Sequence, residues 1–233
     1  MIKLEGNRKS NIDLGKIYFW TATINKWEWL LYENSYKDVI INSLDHLSQR
    51  NLINVFGFVI MPNHIHLIWR LNALNGKEKP HSSFLKYTSH QFKSKLIKHE
   101  KMVRADTNHG RVEEPGSTNP RLSQPPQNPR LGPSQTEKLS SQIGKLNSTT
   151  YELESYLVNA SNKTYEFWKR DSLAVELNNM EVAYQKLDYI HLNPTIKEWF
   201  LSNNPGDYRY SSYNFYETGN SEFRFLKHLG EEF

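Results

Sequence analysis

FVIMPNHIHLIW, at residues 58–69, is the stretch of sequence that decides the fold. An apolar run ends at Met61, the pair Pro62-Asn63 follows, and a second apolar run begins at His64. Two apolar runs separated by two turn-forming residues are typical of a β-hairpin. The spacing therefore predicts strands over 55–61 and 64–71 joined by a tight turn.

Two histidines stand two residues apart in the second of these strands. Side chains alternate along a strand, so His64 and His66 emerge on one face, about 7 Å apart, while Ile65, Leu67 and Trp69 point to the other face. Two imidazoles at this spacing can bind one cation, although most His-x-His pairs are ordinary structural histidines. The position at a hairpin and the fully apolar opposite face favour a metal site in this sequence.

The composition limits the classes of protein that the chain can be. It has 233 residues, no cysteine and a formal net charge of +4. The absence of cysteine excludes disulfides, thiolate zinc sites and cysteine nucleophiles, and it fits a reducing cytoplasm. No apolar run approaches the roughly 18 residues of a membrane span, so we expect a soluble, cytoplasmic protein without a membrane partner. The aromatic content of 13% is enough for a dense core with rings left over to stack on bases.

The remaining periodic segments complete a recognisable order. They are a strand at 17–23, a helix at 35–50, a helix after Pro80, a strand within 167–177 and a helix at 179–193 that Pro194 stops. The resulting order, β-α-β-β-α-β, is that of an α+β ferredoxin-like or RRM-like fold. We expect an antiparallel sheet with helices on one face and an open second face, where folds of this kind bind nucleic acid.

A low-complexity stretch interrupts this pattern. Six of the ten prolines fall between Pro115 and Pro133, and no aromatic residue occurs from Lys93 to Thr150. Such a composition buries too little surface to offset the entropy of ordering. We therefore expect one domain in two parts, 1–102 and 149–233, separated by a flexible Pro/Ser/Gln-rich insertion at 103–148 that is a tether, a peptide motif or a DNA-contacting arm.

Three segments, in order, resemble those of the single-tyrosine (HUH, IS200-like) transposases, and most closely the transposases associated with repetitive extragenic palindromes. Residues 58–69 resemble the family's His-hydrophobic-His strand. LDYIHLNP at 187–194 resembles its tyrosine-bearing helix, and DYRYSSY at 207–213 resembles its Tyr-x-x-Ser-Ser element. Together the three segments extend from residue 58 to residue 213, on both sides of the insertion.

The resemblance implies a metal-dependent endonuclease and strand transferase that cuts single-stranded DNA near hairpins through a 5′-phosphotyrosine. It implies that Tyr189 is the nucleophile, that His64 and His66 hold a divalent cation and that Asn193 is the third ligand. Imidazole and amide ligands suit Mg²⁺ or Mn²⁺, with Mn²⁺ the better match for nitrogen, and zinc would also bind two histidines. The implied partner is single-stranded or hairpin DNA, and both a monomer and a homodimer remain open.

The helix pattern places these residues independently of the resemblance. Leu187 and Ile190 set the buried stripe, and Tyr189 lies about 200° and 100° from them, so it projects away from the core. Asn193 and Gln185, each four residues from Tyr189, share its face. We expect Gln185 to support the ligands rather than to bind the metal.

Two other residues of this helix compete for roles in the site. His191 lies about 40° from Leu187 and faces the packed side, which favours a structural or supporting role over a ligand. Tyr184 is the rival nucleophile, but it is about 140° from Tyr189 and has no Asn or Gln four residues later. Tyr189 is therefore the stronger candidate.

A basic helix and two alternative functions complete the expectations. Lysines crowd the predicted second helix and suit phosphate contacts, although solvated helix faces often look the same; the four proposed to bind DNA are Lys86, Lys93, Lys95 and Lys98. The main alternative is a catalytically silent nucleic-acid-binding module of the same fold. A metalloenzyme acting on other substrates is disfavoured, because the sequence shows no carboxylate base near the histidines.

Overall fold

The structure is a computed structural model that describes residues 12–109, 153–161, 163–170, 172–197 and 199–232. The chain divides into two compact units, Met1–Lys93 with Tyr156–Phe233, and Ser94–Ser155. The second unit contains the end of a long helix, where the backbone N–H of Leu153 donates to Glu100 Oε1 over 3.0 Å. The sheet and the candidate site belong entirely to the first unit.

Within the described residues, six strands form two antiparallel sheets. In chain order they are β1 (Ile17–Thr23), β2 (Ile53–Met61), β3 (His64–Leu71), β4 (Leu157–Ala160), β5 (Lys163–Tyr165) and β6 (Leu173–Glu176). The main sheet has the order β2-β3-β1-β6, and β4 and β5 pair separately. With the helices, this order confirms the predicted α+β fold class of the ferredoxin-like type. The small β4–β5 hairpin was not predicted.

Two helices cover one face of the main sheet, as predicted. They are α1 (Asn34–Gln49) and the part of α2 (Pro80–His109) that belongs to the first unit, residues 80–93. Phe84 of α2 packs against the fully buried rings of Trp20 and Trp69, with ring centroids 6.0 and 6.2 Å apart. Tyr36 of α1 contacts Phe92 of α2 edge to face at 5.7 Å. Aromatic packing of this kind stabilises the core beyond the area it buries.

The β2–β3 hairpin turns at Pro62-Asn63, and its register decides which side chains share a face. His66 pairs with Thr21 of β1 and with Val59 of β2, and His64 pairs with Thr23 and Met61. Residues paired across an antiparallel ladder point to the same side. Both histidines therefore lie on the sheet face opposite α1 and α2.

That second face is not bare, which differs from the expectation of an open sheet. Helix α3 (Met180–Leu192) lies on it, with Leu187 and Ile190 directed at Gly57 of β2. The Asn179 side chain caps α3 by accepting from the backbone N–H of Val182 at 3.2 Å, and the chain turns into a 3-10 helix at Asn193–Thr195. The sequence predicts this helix, but the fold class does not predict that it lies on this face, because its position depends on contacts between residues far apart in sequence.

The chain after α3 covers the outer edge of β2. Backbone hydrogen bonds join Ile60 to Tyr210 and Phe58 to Ser212, and Lys227 donates to Val55. A short helix, α4 (Tyr213–Thr218), lies within this segment. Covering an edge strand removes a row of unpaired backbone groups that would otherwise pair with other chains.

The predicted insertion falls mostly outside the described residues. Helix α2 continues to His109, past the predicted boundary at 103, and residues 110–148 are not described. Across the residues that the structure does describe, no helix has the length and apolar character needed to span a membrane.

Two tyrosines, the buried Tyr208 and the half-buried Tyr216, should make stability fall at alkaline pH. The hydroxyls of Tyr208 and Tyr216 donate to the backbone oxygens of Ile60 and Phe56, each over 2.6 Å, and burial raises the pKa of both phenols far above the usual range. The unfolded chain releases these protons near pH 10, whereas the fold retains them. The contribution is therefore complete below about pH 10 and is lost as pH rises toward the folded pKa.

For Tyr208 the expected loss is about 1.4 kcal/mol of unfolding free energy per pH unit above about pH 10. Urea unfolding of wild type and Tyr208→Phe at pH 8 and pH 11 measures it. The variant should be less stable at pH 8 and should have a shallower alkaline decline. Tyr87→Phe, at a half-exposed position, is the control. A decline equally steep in Tyr208→Phe and wild type would contradict this account.

Candidate active site

The two histidines of β3 lie side by side on the face beneath α3. Their ring centroids are 4.7 Å apart, and His64 and His66 are 8% and 6% exposed. Phe19 of β1 stacks on His66 at 5.2 Å, and Trp199 lies 5.3 Å from His64. The two imidazoles thus pack between the rings of Phe19 and Trp199. Their centroids lie closer together than the spacing of about 7 Å between alternate residues of a strand.

Each imidazole has its Nδ1 occupied by an oxygen of the protein. His64 Nδ1 lies 2.7 Å from Asn63 Oδ1, and His66 Nδ1 lies 2.7 Å from Thr21 Oγ1. An amide oxygen only accepts, so His64 Nδ1 carries the proton and its Nε2 presents a lone pair. Neither Nε2 is hydrogen-bonded to any residue within the described ranges. Metal-binding histidines in proteins are usually oriented in this way by a partner on the second nitrogen.

Burial keeps both rings neutral. It lowers the pKa of His64 to about 4. Burial also lowers the pKa of His66 well below its usual range, and the repulsion that a charged His66 would meet from a protonated His64 and from Lys186 lowers it further. A neutral imidazole is the form that binds a metal ion.

Tyr189 of α3 brings a phenol to the histidine pair. Its ring meets His66 edge to face at 5.5 Å and Phe19 at 6.1 Å, yet half of the side chain is exposed. The helical position predicted a tyrosine that projects from the core, and the structure places it at the rim of the site. The phenol can therefore meet a molecule arriving from solvent.

A lysine shares the rim. The ammonium of Lys186 lies 5.3 Å from the Phe19 ring centroid and 5.8 Å from that of Tyr189, within the range of a cation–π interaction. Partial burial lowers the pKa of Lys186. No motif in the sequence points to Lys186, although it precedes Tyr189 by three positions and a helix places such residues side by side.

A glycine in β2 allows α3 to approach the sheet this closely. A Cβ at Gly57 would lie 2.6 Å from Leu187 Cδ1 and 3.2 Å from Ile190 Cδ1. The strand register also shifts between Val55 and Gly57, as at a β-bulge. The contact of Tyr189 with His66 therefore depends on a missing side chain in another strand.

His191 and Ser212 attach the same helix to β2. His191 Nε2 lies 2.8 Å from Ser212 Oγ, which also accepts from the backbone N–H of Phe58 at 2.9 Å. Burial lowers the pKa of His191 to about 4. The structure places His191 in the core, as its helical position predicts, and brings it to Ser212 of the predicted Tyr-x-x-Ser-Ser element.

Asn193 lies one turn beyond Tyr189 but is buried, at 3% exposure, rather than displayed beside it. Its Nδ2 is buried and has no hydrogen-bond partner among the described residues, and no hydrogen bond joins it to the histidine pair there. Rotation of the amide exchanges Nδ2 and Oδ1, so this position can present an oxygen instead. Gln185 is exposed, and its Nε2 lies 3.4 Å from Glu181 Oε1.

The lysines predicted to bind DNA lie on α2. Lys86 forms an ion pair with Glu78, and the ammonium of Lys93 lies 4.6 Å from the Tyr165 ring centroid. Within the first unit, these two lysines belong to the helix on the other face of the sheet from the histidines. Lys95 and Lys98 belong to the second unit, where Lys98 is exposed.

The rival nucleophile is directed elsewhere. The hydroxyl of Tyr184 lies 3.0 Å from the position that a Cβ on Gly230 would occupy, near the end of the described chain. The aromatic contacts of the histidine pair involve Tyr189 instead. The geometry thus favours Tyr189.

The donor set fits a divalent cation only in part. No group of three His, Asp or Glu side chains suited to a metal ion occurs within the described ranges. Two neutral imidazoles with oriented rings, whose Nε2 atoms have no hydrogen bond within these residues, do fit, and the unpaired amide of Asn193 is the remaining candidate. Substrate or water oxygens would complete such a site.

A known structure resembles this chain, and the likeness is weak. No protein-family model matches the chain, and no curated protein matches it. A solved structure described as "Structure of the REP associates tyrosine transposase bound to a REP hairpin" is 14% identical and has a TM-score of 0.46, over 97% of this chain and 93% of that one. At this level the likeness establishes neither family membership nor activity for this chain.

Filling the space at Gly57 should push α3 off the sheet. We expect Gly57→Ala to lower the free energy of unfolding by about 1–3 kcal/mol, because the new methyl group meets Leu187. Urea denaturation of wild type, Gly57→Ala, Leu187→Ala and the double variant measures the coupling. Gly57→Ala should cost less when Leu187 is already alanine. Equal costs in the two backgrounds would show that this close approach does not constrain the helix.

Proposed function

We propose that this protein is a metal-dependent endonuclease and strand transferase that cuts single-stranded DNA near hairpins and acts as a transposase. The observation that carries the proposal is the meeting of a half-exposed phenol, Tyr189, with the two neutral imidazoles of His64 and His66. The three residues come from a strand and a helix that are distant in sequence. A stable fold does not require an oriented histidine pair next to a solvent-facing tyrosine.

His64 and His66 would hold the cation through Nε2, with Asn193 as the third ligand. When bound, Mg²⁺ or Mn²⁺ would polarise the scissile phosphate and offset the negative charge that develops on it. Asn63 and Thr21 hold the imidazoles in the orientation that leaves Nε2 available. His191 would support this arrangement through its hydrogen bond to Ser212, which attaches α3 to β2.

Tyr189 carries the covalent step. Its hydroxyl oxygen attacks the phosphorus, a new P–O bond to tyrosine forms, and the bond from phosphorus to the 3′ oxygen breaks. The phenol proton leaves to solvent, which reaches the half-exposed side chain, and the departing 3′ oxygen takes up a proton. One phosphodiester replaces another, so the attack of a 3′-OH on the phosphotyrosine rejoins a strand without an external energy source.

Lys186 supplies positive charge on the same side as the phenol. Its ammonium lies 5.8 Å from the Tyr189 ring centroid, so it attracts a phosphate to the rim where the phenol lies. The α2 lysines Lys86, Lys93, Lys95 and Lys98 are proposed to contact phosphates farther from the cut. Such contacts supply affinity without reading sequence.

Covalent capture tests the nucleophile. Wild-type protein incubated with a panel of 5′- and 3′-labelled hairpin oligonucleotides and Mn²⁺ should form an adduct stable to denaturing electrophoresis. Tyr189→Phe should form none, because it lacks the attacking oxygen, and Tyr184→Phe should form as much as wild type. An adduct that survives in Tyr189→Phe would contradict the assignment. DNA binding without any adduct in wild type would favour the catalytically silent module.

Metal binding tests the histidines without relying on catalysis. In Mn²⁺ titrations followed by electron paramagnetic resonance, His64→Ala and His66→Ala should weaken binding by more than about a hundredfold, since even supporting partners of metal ligands contribute 10–100-fold. Tyr189→Phe should bind Mn²⁺ as wild type does. Both histidine variants should keep most of the affinity for DNA, which phosphate contacts provide. Unchanged Mn²⁺ affinity in both variants would rule out this metal site.

A further inference from the structure

A row of aromatic side chains continues from the histidine pair to the surface. Trp199 lies 5.3 Å from His64 between ring centroids, Trp29 lies 6.0 Å from Trp199, and Tyr32 lies 6.1 Å from Trp29. We call Trp199, Trp29 and Tyr32 the aromatic strip. It starts at His64, whereas Tyr189 contacts His66.

The rings of the strip are partly open to solvent. Tyr32 is 44% exposed, and Trp29 and Trp199 are half-buried. The core tryptophans Trp20 and Trp69 are, in contrast, fully buried. Neighbouring exposed aromatic rings leave apolar surface in water, which in a soluble fold often marks a binding site.

The loops that carry the strip contain strained backbone. Lys26, Trp27 and Phe200 have φ of 56°, 60° and 43°, and only one other non-glycine residue in the described ranges has a positive φ. Each such conformation costs roughly 1–2 kcal/mol for an ordinary residue. Strain of this kind gathers at functional sites, where the surrounding structure holds it in place.

The β2–β3 turn fixes one of these loops next to His64. The backbone N–H groups of Ile24 and Leu31 donate to the oxygens of Asn63 and Pro62 over 2.8 and 2.9 Å. The Asn63 side chain uses its Nδ2 on the Trp27 oxygen and its Oδ1 on His64. The loop that carries Trp29 and Tyr32 is therefore attached to the same turn as the histidine pair.

We propose that the aromatic strip stacks the unpaired bases that adjoin the phosphate at the histidine pair, with single-stranded DNA as the ligand. This inference rests on the proposed function and names the part of the substrate that the strip would hold. Bases of any sequence stack on aromatic side chains. Centroid spacings near 6 Å and tilts of 30° and 44° between neighbouring rings do not match the regular rise of about 3.4 Å in a duplex, so the strip suits splayed bases.

The first experiment measures binding apart from catalysis. All proteins carry Tyr189→Phe, and the buffer contains EDTA, so that no cleavage occurs. Fluorescence anisotropy measures binding of a labelled hairpin with single-stranded flanks. The hairpin is one that forms an adduct in the capture panel or, if none does, the one that binds most tightly. Trp29→Ala and Trp199→Ala should each weaken binding about 5- to 150-fold, the range that stacking on one base provides. The salt dependence should not change, because no phosphate contact is lost.

Matched variants separate stacking from misfolding. Trp29→Phe and Trp199→Phe keep an aromatic face and should recover most of the affinity. Trp27→Ala removes an exposed tryptophan of the same loop that lies outside the strip, so it should bind as the parent does. Equal losses in the Phe and Ala variants, no loss in the Ala variants, or equal affinity for a fully paired duplex would each overturn the proposal.

Abasic substitution locates the bases. Removing single bases next to the cut, or along each flank if no cut is found, should weaken binding to the parent protein at one or more positions. The same removal should have little further effect on Trp29→Ala or Trp199→Ala. Equal losses in parent and variants would overturn the proposal.

The two proposals can fail separately. If wild type forms the Tyr189 adduct while strip variants bind and react normally, the strip proposal is wrong and the nuclease stands. If no adduct forms but binding depends on both the rings and the bases, the nuclease is wrong and the strip stands.

Discussion

The close approach of α3 to β2 at Gly57 is the constraint on which the candidate site depends. A hydrogen atom in place of a side chain lets Leu187 and Ile190 lie against the strand, and Tyr189, on the flank of the same helix, then meets His66. The hydrogen bond between His191 and Ser212 attaches the helix to the same strand. Core packing thus sets the position of the phenol. Substitutions in β2 that do not touch the histidine pair would therefore move Tyr189 relative to His66.

The sequence predicts the parts of this molecule that depend on local periodicity. Strict alternation around Pro62-Asn63 places His64 and His66 on one face, and helical spacing directs Tyr189 outward and His191 inward. It does not predict that α3 covers that face, because the approach requires Gly57 and residues more than a hundred positions later. Asn193 shows the same limit, since a helical wheel assigns it to the face of Tyr189 but the chain turns into a 3-10 helix there and buries it.

Burial gives the site its electrostatic character. The imidazoles are neutral because the surrounding aromatic rings and strands exclude water, while Lys186 and Tyr189 at the rim remain in reach of it. The site therefore has neutral imidazoles in its buried part and the positive charge of Lys186 at its solvent-facing rim. Asn63 contributes to both neighbouring features, since one amide orients His64 and restrains the loop of Trp27. Neither Asn63 nor Thr21 can be recognised from the sequence as part of the site. Thr21 reaches His66 through the strand register, and Asn63 reaches the Trp27 loop from the turn.

The segment that covers the outer edge of β2 has a consequence for how the chain folds during synthesis. Ser212 is 154 residues from its partner Phe58. At roughly 5 to 20 residues per second, a ribosome needs about 8 to 30 s to make the covering segment after it has made β2. Throughout that interval β2 has an unpaired edge. The low-complexity residues 103–148 lengthen the interval, because they are made before the covering segment. Newly made chains are therefore most exposed to strand-to-strand association with one another in this window, when chaperones would be of most use.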